Sequence, residues 1–99
     1  MVGNPDPPIV TYRFSPTKTI ILEWQSDRED IANYEVTVKD RSDILKEEVS
    51  TVKKIELTGL KNDVLYTFEV IAVDVASQKS KPAIVTMKGL LPSTNISVR

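Results

Sequence analysis

The residues able to do chemistry are few, and their spacing points to little of it. Asp27-Arg28-Glu29-Asp30 gathers carboxylates in one short stretch, and carboxylate oxygens suit calcium, a hard cation that takes six to eight such ligands. Only three acids lie there, beside an arginine that competes for them, so a solvated turn is the better reading. Asp40 and Asp43 form a second acidic pair. Paired carboxylates hydrolyse glycosides only when a cleft holds the sugar between them, and a chain of this size has little room for one. With no histidine and no cysteine, the usual base near neutral pH, the usual metal ligands, thiol nucleophiles and disulfides all drop out. No catalytic, cofactor-binding or metal site is assigned, and no cofactor is expected. Millimolar or weaker affinity is the expectation for calcium and zinc. Asn95-Ile96-Ser97 fits a glycosylation sequon and is read as coincidence.

Composition narrows the field further. A length of 99 residues with 40% hydrophobic and 27% charged side chains describes one ordinary globular domain. Thirteen Lys and Arg against fourteen Asp and Glu give a formal charge of -1, and the basic residues form no stripe. That excludes the electrostatic footprint of a nucleic-acid binder. No apolar run exceeds four residues, so neither a membrane span nor a signal core is expected. Monomeric behaviour is the default.

The elements that must position these residues show a period of two, the signature of half-buried strands. After Asn4-Pro5-Asp6-Pro7-Pro8 a first strand carries Val10, Tyr12 and Phe14 inward, and Ser15-Pro16-Thr17 turns it. The second, Thr19 to Gln25, places Ile20, Leu22 and Trp24 on one face. The third, Asn33 to Asp40, does the same with Tyr34, Val36 and Val38. Arg41 to Thr51 is read as an edge strand, with one helical turn as the alternative. A fifth strand, Val52 to Thr58, contributes Ile55 and Leu57. The sixth, Val64 to Val73, turns Tyr66, Phe68, Val70 and Ala72 inward and Thr67, Glu69 and Ile71 outward. In the last, Ala83, Val85 and Met87 alternate with Ile84 and Thr86. Seven strands without amphipathic helices argue for a Greek-key β-sandwich, with strands one, two and five packed on strands four, three, six and seven.

Between the fifth and sixth strands, Gly59-Leu60-Lys61-Asn62-Asp63 precedes Tyr66. A leucine ending one strand and a tyrosine six residues later mark a tyrosine corner, in which the ring enters the core and its hydroxyl returns to upstream backbone. Trp24, Tyr34, Leu60, Tyr66 and Val70 are therefore the expected core and corner residues. All the aromatic residues, Tyr12, Phe14, Trp24, Tyr34, Tyr66 and Phe68, have inward assignments, which leaves no stacking platform for sugars. Outward Ile71, Val73 and Ile84 could form an apolar stripe for docking another domain; scattered apolar surface is the commoner case.

With Trp24 on the second strand, Tyr34 on the third, Gly59-Leu60 before Tyr66 and Ser80-Lys81-Pro82 before the last strand, the chain resembles a fibronectin type III domain over residues 5–89. The stretch from Tyr66 to Ser77, ending at Ser80-Lys81-Pro82, looks most like modules of bacterial extracellular polysaccharide-degrading enzymes and phage tail proteins. The loop after Trp24 departs from the family, with Gln25 to Asp30 where a proline often stands. The resemblance implies an immunoglobulin-like, extracellular, non-enzymatic building block. Residues 1–4 are taken as an added start or linker, and residues 90–99 as a linker or the opening of a following module, since Ile96 and Val98 repeat the alternation of Val10 and Tyr12. Two uses fit. The first is a spacer whose partners are the neighbouring domains of its own polypeptide. The second is a ligand-binding or adhesion module, in which loops Asp27 to Ala32 and Asp74 to Lys79 meet a protein or glycan, with Arg28 as their one strong anchor.

Overall fold

In the computed structural model, residues 3–15, 19–26, 28–41, 43–61 and 64–88 are described. The alternating segments become β1 (Ile9–Phe14), β2 (Ile20–Gln25), β3 (Ile31–Asp40), β4 (Asp43–Ser50), β5 (Lys54–Leu57), β6 (Leu65–Asp74) and β7 (Ala83–Lys88). They form a three-stranded sheet, β1-β2-β5, and a four-stranded sheet, β4-β3-β6-β7, with every pairing antiparallel. This is the expected all-β sandwich. The segment read as strand or helical turn is a strand, β4. The readings made for residues 1–2, 16–18, 27, 42, 62–63 and 89–99, which include part of the added start, the tail and the Asn95 sequon, lie outside the described residues.

The two sheets close on the predicted alternation. Ile20, Leu22, Trp24, Ile55 and Leu57 from one meet Tyr34, Val36, Val38, Tyr66, Phe68, Val70, Ala72 and Met87 from the other. Leu22, Phe68 and Val70 are wholly buried, and a side chain so placed contributes about 1.5 to 3 kcal/mol through its removal from water. Trp24 meets Tyr34 edge to face at 5.7 Å between ring centroids, the orientation that the ring quadrupoles favour.

Four strands over three leave one strand overhanging. That strand is β4, whose only substantial packing neighbour among the described elements is β3. Its core-side positions, Lys46 opposite Val38 and Glu48 opposite Val36, are charged and pair with each other at 3.3 Å. Inward charges on an exposed edge also discourage pairing with a second molecule. A register shift between Val38 and Lys39 sets Lys46 and Ile44 against adjacent β3 residues and leaves Leu45 without a partner.

Two inward-outward expectations are corrected. Tyr12 pairs with Leu22 yet is 43% exposed. It stands on the edge strand β1, where the sandwich opens, and its ring finds an edge-on contact with Phe14 at 6.0 Å. Val73, expected outward, is only 8% exposed. The chain after β6 folds back so that Lys79 bridges to Val73 and extends its ammonium to Glu35 on β3 at 3.1 Å, which lays loop and long side chain over that part of the sheet. The expected stripe is thereby broken: Ile84 is exposed, Ile71 is half-buried and Val73 is covered.

Candidate functional site

The residues with the richest chemistry converge at one pole, where β2 leads into β3 and β6 leads into β7. Arg28 lies between β2 and β3. Its Nε and one terminal nitrogen donate to the two oxygens of Asp30 at 2.8 and 2.6 Å, and that same terminal nitrogen donates to Asp74 Oδ2 at 3.0 Å. Its other terminal nitrogen donates to the Gly3 carbonyl at 2.7 Å. Two-point pairing of a planar guanidinium with a carboxylate is among the stronger polar contacts available to a protein. The Asp30 hydrogen bond raises the Arg28 pKa above its ordinary value, and the same bond holds the Asp30 carboxyl below the usual carboxylate range; burial opposes both shifts.

Asp74 closes β6 and is 3% exposed. A buried carboxylate needs partners, and this one has them on both oxygens. Oδ2 meets Arg28, while Oδ1 accepts the backbone N–H groups of Ala76 at 3.0 Å and Gln78 at 2.8 Å. Those bonds shape the turn in which Ser77 takes a φ of 64°. The Val75 N–H donates to the Asp30 carbonyl at 2.9 Å, so the two loops are joined through backbone as well as side chain. The lead-in segment is fastened beside them: Asn4 donates to the Lys79 carbonyl at 2.9 Å, and Pro5 and Pro8 are buried.

The acidic stretch is therefore an ion-paired clasp. Asp30 and Asp74 are turned toward Arg28 while Glu29 is exposed, and the arginine offered as a ligand anchor is spent on its own fold. Asp40 and Asp43 face each other across the tip of the β3–β4 hairpin, and between them Arg41 adopts a φ of 59°. Asp40 borders a depression of about 390 Å³ with Glu56, Lys61 and Tyr66, whose lining does not include Asp43, so the two carboxylates do not flank a shared cleft. A depression of about 510 Å³ along β1 and β2 is lined by Ile9, Trp24 and the polar residues Thr11, Glu23, Gln25, Ser26 and Lys53; Trp24 is only 1% exposed, its ring being committed to the core.

Trp24, Tyr34, Tyr66 and Val70 lie in the core, and Leu60 packs against it half-buried. The Tyr66 hydroxyl accepts the Lys61 backbone N–H at 2.8 Å. Burial pushes the Tyr34 phenol up. Trp24 Nε1 is buried with no hydrogen-bond partner among the described residues. The link from Arg28 to Asp74 was not anticipated, because 46 residues separate the pair. The available signal was weak: an aspartate where the alternation of β6 stops, in a position that a buried turn would use.

The family model described as Fibronectin type III domain matches residues 4–87. Among solved structures, the extracellular region of rat CD45, domains d3-d4, is similar at a TM-score of 0.74 and 18% identity, over 87% of this chain and 50% of that one. An Fn3-like protein from Clostridium thermocellum is similar at 0.64 and 18% identity, over 85% and 92%. Pectate lyase PelI from Erwinia chrysanthemi, solved in complex with tetragalacturonic acid, is similar at 0.64 and 14% identity, over 81% of this chain and 28% of the lyase. The chain thus spans half of the CD45 fragment and about a quarter of the lyase. No curated protein matches the sequence.

Proposed function

This chain belongs to the fibronectin type III family, and from that premise we propose that it is a non-catalytic spacer of an extracellular bacterial polypeptide such as a polysaccharide-degrading enzyme, holding neighbouring domains apart. The observation that carries the reading is where its ends lie. β1 begins beside Gln25, at the pole of the Arg28 clasp, whereas β7 ends beside Leu65, at the pole of the Tyr66 corner. Between them runs β3, whose ten residues span about 33 Å at the usual strand rise. A chain that arrives at one pole and leaves at the other separates whatever is joined to it. The pectate lyase supports the reading, since the matched sandwich is a minor part of a much longer chain.

Trp24, Tyr34, Leu60, Tyr66 and Val70 serve this role as frame, not as a binding site. The competing recognition role, as an adhesion module or tail-fibre domain, lacks its strongest anchor once Arg28 is committed internally. Glycan-array and pull-down screens of the 99-residue chain separate the two. The spacer reading expects no saturable ligand, and replacement of this module in its parent polypeptide by an unrelated sandwich of equal length should preserve function. A ligand bound at micromolar concentration through the Val75–Lys79 turn would overturn it.

A further inference from the structure

Three segments distant in sequence meet at the Arg28 pole: the lead-in residues Gly3 and Asn4, the β2–β3 loop and the turn after Asp74. Three hydrogen bonds to Asp30 and Asp74 fix the guanidinium, and the remaining terminal nitrogen is aimed at the Gly3 carbonyl. The lead-in chain has few conformations to lose on docking there. Pro5, Pro7 and Pro8 each hold φ near −65° by their rings, Pro5 and Pro8 are buried, and Asn4 adds its bond to Lys79.

We propose that Arg28 acts as a rigid joint, seating residues 3–8 on this pole so that polypeptide preceding Gly3 leaves the domain in one fixed direction. The partner is the preceding segment of the same polypeptide, and what the site recognises is a backbone carbonyl on a proline-stiffened strand. The inference rests on the spacer reading and sharpens it: a spacer with a seated lead-in sets an angle as well as a distance. A flexible lead-in would set only the distance.

Backbone ¹⁵N relaxation on the 99-residue chain tests the joint. Order parameters at Gly3 and Asn4 should match the strands, about 0.85, and fall below about 0.6 in Arg28→Lys, because an ammonium keeps the charge but cannot hold the fork. The strands should keep their values. Asn4→Ala, which leaves the arginine cluster untouched, supplies a second probe should the lysine variant fail to fold; Gly3 should then loosen by a smaller amount. Low order at Gly3 and Asn4 in the unaltered chain, or values unmoved by either substitution, would sink the proposal. That failure leaves the spacer reading standing, whereas a ligand found in the screens with Gly3 still ordered removes the spacer reading and spares the joint.

Discussion

At the residue scale, the buried polar atoms set the most specific expectations. Tyr66→Phe keeps the ring in the core but leaves the Lys61 N–H without its acceptor, so it should destabilise the fold by about 1 to 3 kcal/mol; denaturant melts will read this as a lowered midpoint at unchanged slope. Trp24→Ala opens a cavity between the sheets and should cost about 3 to 5 kcal/mol. Trp24→Phe should cost clearly less, since it fills much of that space and removes an indole N–H that has no partner among the described residues. Equal losses for the two Trp24 variants would show that cavity volume is not the governing term. Asp30 carries a pH dependence whose sign is fixed by its lowered pKa. Its ion pair contributes above the ordinary carboxylate pKa of about 3.9 and is lost as pH falls through the lower folded value. The stability gap between the native chain and Asp30→Asn should therefore be constant from about pH 5 to pH 8 and close in stronger acid. A gap that does not shrink at all as the pH falls below about 3.9 contradicts the assignment.

At the element scale, β4 and its turn are the most instructive. The hairpin from β3 holds Arg41 at positive φ, a conformation that asparagine tolerates better than arginine. Arg41→Asn should stabilise by about 0.5 to 1 kcal/mol, within the range typical of relieved backbone strain, seen as a raised thermal midpoint. Along the strand, Lys46 and Glu48 face the core side as an ion pair opposite Val38 and Val36. Replacing both with valine should leave the monomer folded but turn the edge into a pairing surface. Sedimentation velocity would detect the resulting self-association, and a strictly monomeric double variant would show that these charges do not guard the edge.

At the scale of the whole molecule, the prediction concerns the separation of the poles. The chain has no native cysteine, so Asp6→Cys with Lys88→Cys allows clean spin labelling. A single narrow distance distribution is expected, centred above about 25 Å given the strand rise along β3. A broad or bimodal distribution would mean that the lead-in segment is not seated and that the module sets no fixed spacing.

Alternation such as that of Ile20, Leu22 and Trp24, of Tyr34, Val36 and Val38, and of Tyr66 to Ala72 was enough to determine every strand but β4 and nearly the whole core, because a strand with one buried face must write that face into every second residue. β4 was ambiguous for the converse reason: it overhangs the narrower sheet, buries neither face, and so carries no alternation to read. Tyr12 and Val73 misled because pattern reports which side of a sheet a residue takes, while exposure depends on what lies across from it. For Tyr12 that is the open margin of the sandwich, and for Val73 the returning chain at Lys79. The Arg28 clasp was decided by tertiary structure alone. Its partners, Gly3, Asp30 and Asp74, share no local periodicity, and long-range ion pairs have no signature until the chain is folded and two loops are brought to the same pole.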